Sequence, residues 1–195
     1  MKFLVKYSTN KSNYMLSKRQ TEQRNLRKQS ILEGALKVFK THGIEKTTMD
    51  EVAIESGFGK ATLYYYFASK DEVFIAIMED GWKSLWEGIE NLIIKELGPR
   101  EKFMSIIRKM AKIVRGNKNL YGFLFTAPNH INDESKQVWK TYQERLYAIL
   151  KSIIEEGINK KEFINLDPGM LMKAIGGLFH GLLIENEEDL DEKEF

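Results

Sequence analysis

Residues 47–72 read TTMDEVAIESGFGKATLYYYFASKDE. Thr48-Met49-Asp50-Glu51 has the form of a capping box, in which a threonine hydroxyl and a glutamate satisfy the first free N–H groups of a helix. Gly57 stops that helix, and a second one is expected from about Lys60 to Tyr66. Ser69-Lys70-Asp71-Glu72 is another capping box and opens a third helix. The intervals between caps are short, so these helices must pack on one another to exist. Two short helices joined by a glycine turn have the layout of a helix-turn-helix, whose second helix enters the DNA major groove.

Working outward, a preceding helix is expected from about Thr21, with Ile31, Leu32, Ala35, Leu36 and Phe39 as its apolar stripe. His42-Gly43 ends it, with Ile44 packing back. Val52 and Ala53 should face inward, the small Ala53 allowing close helix approach. Residues 1–16 show no periodicity and read as a flexible basic arm. Downstream every long segment has a helical period. Val73, Phe74, Ile77, Leu85 and Ile89 line one helix, and Phe103, Ile106, Met110 and Val114 the next. Leu146, Leu150 and Ile153 mark a later one, and Ala174, Ile175 and Leu178 the last. There is no strand alternation and no internal repeat. The fold class is all-α: an arm over 1–20, a three-helix head over 21–68 and a larger helical body over 69–195.

Composition narrows the function classes. The chain has 195 residues, 43% hydrophobic and 30% charged, which describes a globular protein. No apolar stretch reaches the roughly 20 residues of a membrane helix, and a cytoplasmic location is expected. Cysteine is absent, which removes disulfides, thiolate nucleophiles and cysteine metal sites. Residues 1–72 carry 13 Lys/Arg against 8 Asp/Glu, whereas the rest carries 17 against 20. A basic front half suits a polyanionic partner. His42, His130 and His180 are far apart, and no HExxH, phosphate-loop, GxSxG or dinucleotide glycine pattern occurs. The expectation is therefore no enzyme activity, no cofactor and no metal.

The stretch from Ile31 to Val73 resembles the DNA-binding head of the TetR family of transcriptional regulators. The resemblance is carried by Ile31, Ala35, Phe39, Gly43, Thr47-Thr48, Val52-Ala53, Gly57, Lys60, Thr62-Leu63-Tyr64, Phe67 and Ser69-Lys70. Gly59 departs from the small hydroxyl residue usual in the family, and Ala61 from its frequent glycine. The resemblance implies a homodimer that binds a palindromic operator in double-stranded DNA. It also implies release by a small-molecule effector bound in the body, and favours repression. The dimer interface it implies covers about 133–158 and 167–186, with Leu146, Leu150, Ile153, Ile175, Gly177, Leu178 and Gly181 as candidates.

Around a helix of about 100° per residue, Leu63 and Phe67 define the buried face of residues 60–67 and Tyr65 lies opposite, flanked by Ala61 and Thr62. Tyr64 and Tyr66 sit on the shoulders, within reach of phosphates. Lys60 is placed to reach a base edge or phosphate; Thr48 and Lys70 are expected as phosphate clamps. The helix contains no arginine, so the commonest guanine clamp is missing and A·T-rich contact positions are expected. Candidate effector contacts are Trp82, Trp86, Phe103, Tyr121, Phe125, Trp139 and Tyr142, which favour an apolar or aromatic ligand. Isolated charges such as Arg145 are expected to be solvated. The alternative is an architectural DNA binder without sequence preference.

Overall fold

The structure is a computed structural model; it describes residues 2–126 and 138–181, with side chains from residue 18 onward except 178–180. Among the described residues there are eight helices and no strand. They are α1 (Lys2–His42), α2 (Met49–Ser56), α3 (Lys60–Tyr66), α4 (Lys70–Ile93), α5 (Pro99–Gly116), α6 (Lys118–Thr126), α7 (Val138–Asn159) and α8 (Pro168–His180). The chain forms two compact units, one up to Phe74 and one from Ile75. Their junction lies inside α4, six residues beyond the expected boundary at 68/69.

The first unit is built on α1 and α2. Ile31, Ala35, Phe39, Ile44, Val52, Ala53, Leu63, Phe67, Val73 and Phe74 are all buried, so every helix of the head contributes to one core. Gly57 takes the left-handed conformation, φ 72°, as the C-cap of α2. Helices α1 and α2 approach closely at Gly34, where an added Cβ would lie 2.8 Å from the Ser56 backbone. Ala53, to which the sequence reading assigns close approach, is buried, and Gly34 is a further close contact that the reading did not name.

The N-terminal segment differs from expectation. Helix α1 starts at Lys2, not near Thr21, so residues 2–20 continue the helix. No glycine or proline interrupts residues 2–33. Residues 18–30 are exposed throughout, so no packing partner imposes the apolar stripe by which a helix is read from sequence.

In the second unit α5 packs on α6 and α7, and α7 on α8. Its core holds Ile77, Trp82, Leu85, Ile89, Ile106, Met110, Val114, Leu150 and Ile154. Helix α5 begins with Pro99 after a Gly98 cap that has no side chain to offer. A carboxylate oxygen of Glu162, beyond the end of α7, accepts from Arg100 N–H at 2.9 Å and serves instead. Phe163 then covers Gly157 and meets Phe103 edge-on, ring centroids 5.7 Å apart. The sequence also reads as a loop from Ala127 to Asn132, around Pro128, which lies outside the described residues.

Replacing Gly34 by alanine should force α1 and α2 apart, because backbone atoms cannot yield as a side-chain tip would. Overpacking of this kind costs about 1–3 kcal/mol, read as a lower urea midpoint with an unchanged slope.

Candidate nucleic-acid interface

Helix α3 has seven residues, too few to stand alone in water. Leu63 and Phe67 anchor it, both buried, and the Lys28 ammonium lies 5.8 Å from the centre of the Phe67 ring. The opposite face is open. Tyr65 is 71% and Tyr64 52% exposed. Ala61 and Lys60 are exposed, and Thr62 and Tyr66 half-buried. The rings of Tyr65 and Tyr66 meet edge-on at 5.2 Å. Thus α3 presents small residues and aromatic hydroxyls, a surface able to touch thymine methyls and phosphates. Its cap, Gly59, gives no side-chain hydrogen bond.

The charges around α3 are paired. Lys60 Nζ lies 2.5 Å from a carboxylate oxygen of Asp50 on α2. The sequence reading had Lys60 free to reach DNA and gave Asp50 no role. Thr48 is the N-cap of α2, and its hydroxyl oxygen accepts from Glu51 N–H at 3.3 Å. The Glu51 carboxylate in turn accepts from Thr48 N–H at 2.7 Å and from its hydroxyl at 2.9 Å. These contacts hold the Glu51 carboxyl below its ordinary value, the Thr48 backbone bond first and its hydroxyl next, with His42 adding a smaller attraction. Thr48 is thereby occupied in the cap.

Lys70 was expected to clamp phosphate, and the structure places it otherwise. Its ammonium donates to the carbonyl oxygens of Ile44, Glu45 and Thr47 at 2.8, 2.7 and 3.2 Å. An ammonium has three protons, so all of them are engaged. Lys70 staples the start of α4 to the turn between α1 and α2. At the same end, Ser69 Oγ accepts from Glu72 N–H, while Glu72 reaches Ala68 N–H, one residue earlier than a regular capping box.

The aromatic candidates of the body fall into several contacts. Trp82 meets Phe125 edge-on at 5.5 Å, and the Arg145 guanidinium, expected to be solvated, lies 4.4 Å from the centre of the Trp86 ring. Phe103 pairs with Phe163. Trp139 and Tyr121 are buried and Tyr142 half-buried. Burial first, and the charge of Asp80 second, raise the Tyr121 phenol above its ordinary value, so it stays a neutral donor. The Nε1 atoms of Trp82 and Trp139 are buried and lack a hydrogen-bond partner among the described residues.

The expected dimer residues separate into two groups. Leu146, Leu150 and Ile153 are only 8, 5 and 6% exposed within one chain, so they belong to its own core and offer little area to a second copy. Ile175 is half-buried, and the side chain of Leu178 lies outside those described. A Cβ at Gly177 or Gly181 would meet nothing within 4 Å among the described residues. Tyr147, Met170 and Ala174 are exposed on α7 and α8.

Lys70→Met should lower the stability of the head by about 1–3 kcal/mol, the range for losing charge-assisted bonds to carbonyls, and leave the salt dependence of DNA binding unchanged. A clamp on phosphate would instead show a shallower salt slope. Glu51 has a folded pKa below its ordinary 4.5, so its contribution is present above that pH and fades as pH falls through the folded value. Acid unfolding of Glu51→Gln should accordingly be less steep over that window than that of the parent.

Two family descriptions match the chain: "Bacterial regulatory proteins, tetR family" over residues 31–77 and "Tetracyclin repressor-like, C-terminal domain" over residues 96–183. The HTH-type transcriptional regulator YfiR of Bacillus subtilis, itself uncharacterised, is 28% identical over 183 residues, 87% of this chain and 86% of its own. The fatty acid metabolism regulator protein of the same organism is 23% identical, covering 72% of this chain and 73% of its own. Among solved structures, AibR in complex with isovaleryl coenzyme A and operator DNA superposes with a TM-score of 0.75 at 19% identity, over 86% of this chain and 92% of that one. The two matches together span more than half of the chain, and the helical fold agrees with them: the chain belongs to the TetR family of DNA-binding transcriptional regulators.

Proposed function

We infer that the protein is a homodimeric repressor of the cytoplasm that binds a palindromic operator and leaves it when a small apolar ligand enters the body. The single observation that carries the DNA half of this reading is the exposure of Tyr65, Tyr64 and Ala61 on a helix whose other face is buried. Large aromatic side chains are left in water where a groove would cover them. Tyr65, Ala61 and Thr62 read thymine-rich positions, and Tyr64 and Tyr66 hold phosphates. Lys18, Arg19 and Arg24, exposed on the N-terminal part of α1, add charge for the DNA backbone.

One seven-residue helix reads only a few base pairs, so two copies are needed. The second copy covers α7 and α8 where Tyr147, Met170, Ala174 and Gly177 face outward. The open space at Gly177 supports this, since nothing among the described residues calls for a small residue there.

The ligand has an apolar body and at least one acceptor oxygen. The buried indole N–H groups of Trp82 and Trp139 support the acceptor, because a buried donor gains most from a partner. Acyl thioesters combine both properties, and the solved AibR structure holds isovaleryl coenzyme A. Binding in the body favours one arrangement of the two heads, and only the arrangement that fits the operator binds it.

Selection from a random duplex library at physiological salt should enrich an inverted repeat with A·T pairs at the α3 contacts. Gly177→Arg should sediment as a folded monomer and enrich nothing. An acyl coenzyme A should release the parent protein from the selected site. Binding without any enriched sequence would favour an architectural protein instead.

A further inference from the structure

The Lys60–Asp50 pair has no explanation in the stability of the head. Both side chains are largely in water, 64 and 51% exposed, and an ion pair so placed contributes little to folding. It joins the second residue of α2 to the first residue of α3, at the end of the reading helix that a groove would meet first. A carboxylate there repels every phosphate that approaches, so it weakens binding to DNA in general. A cost applied to all DNA can be tolerated where cognate DNA removes it, which is how repulsive groups create specificity.

We propose that Asp50 is a specificity-determining residue, and that the Lys60–Asp50 pair reads one G·C base pair at the edge of the α3 contact. This rests on the sequence-specific DNA binding inferred above. Away from the site, Asp50 holds the Lys60 ammonium and cancels its charge, so Lys60 makes no indiscriminate phosphate contact. In the major groove guanine presents two acceptors, N7 and O6, and its partner cytosine a neighbouring N4 amino donor. Lys60 donates to the guanine edge, and Asp50 accepts from the cytosine amine. Donor and acceptor stand side by side on the protein, 2.5 Å apart, as O6 and N4 do on the base pair. An A·T pair places an amino donor and one acceptor at the corresponding positions and loses the doubled acceptor that Lys60 uses. The A·T preference of Ala61, Thr62 and Tyr65 is then bounded by a single G·C position.

The test measures affinities of the full-length parent, Asp50→Asn, Asp50→Glu, Lys60→Met and the Lys60→Met/Asp50→Asn double variant by fluorescence anisotropy over a range of salt. The duplexes are the selected operator, the operator with the Lys60-dependent G·C changed to A·T, and an unrelated sequence. Asp50→Asn should bind the unrelated duplex about threefold to tenfold more tightly. Its log–log salt slope should steepen by about 0.9, the increment for one freed cation. Discrimination at the G·C position should fall about tenfold, as for loss of one good base contact. Asp50→Glu should retain discrimination, and in the Lys60→Met background Asp50→Asn should no longer steepen the salt slope by a freed cation, so that its effect on affinity is smaller than in the parent. Equal affinity changes on all three duplexes, or no change, would overturn the role of Asp50 while leaving sequence-specific binding intact. A parent protein that prefers no sequence would overturn that earlier reading and this one with it.

Discussion

The exposed face of α3 depends on one steric fact: α1 and α2 touch backbone to backbone at Gly34 and Ser56. Helix α3 is too short to hold its own shape, and it borrows rigidity from the elements beneath it. Leu63 and Phe67 reach a core whose other members are Ile31, Ala35 and Phe39 from α1 and Val52 and Ala53 from α2. Spread α1 and α2, and these side chains lose contact together, since dense packing has little slack. The exposure of Tyr65 is therefore a consequence of burial elsewhere. Seven residues with two anchors have one orientation, and the tyrosines point where the anchors leave them.

Charge does two separate jobs in this small unit, and surroundings distinguish them. Lys70 sits partly buried and donates to three carbonyls of the α1–α2 connection, so its role is to satisfy a turn. Lys60 meets a single carboxylate in water, a contact that another anion or base edge can replace. Glu51 lies between these cases: it is exposed, yet tied to Thr48 by three short contacts that complete a helix end. A cation near DNA is thus not by that fact a DNA contact. What matters is whether its protons are already committed.

The parts of the head legible in the sequence are those whose physics is local. A capping box needs residues three apart, so Thr48 and Glu51 announce α2, and Gly57 announces its end. The buried face of α3 follows from helical period alone, because Leu63 and Phe67 recur at one turn. Lys70, Asp50 and Gly34 were misread or passed over for the opposite reason. Lys70 meets carbonyls 23 to 26 positions away, and Gly34 meets Ser56 across two helices. A glycine in mid-helix does carry a signal, since it weakens the helix and must be tolerated for some reason. In the body, periodicity found the apolar faces but not which neighbour covers them. Leu146, Leu150 and Ile153 form a stripe equally suited to a partner or to the chain itself, and only the fold decides.

The first turn of α4 is fixed to the head by two kinds of contact. Val73 and Phe74 lie in the head core, within the unit that ends at Phe74. Lys70 grips the α1–α2 connection through the carbonyls of Ile44, Glu45 and Thr47. Hydrophobic anchors alone would let the start of α4 slide across a greasy surface; a charge held by three directed bonds does not slide.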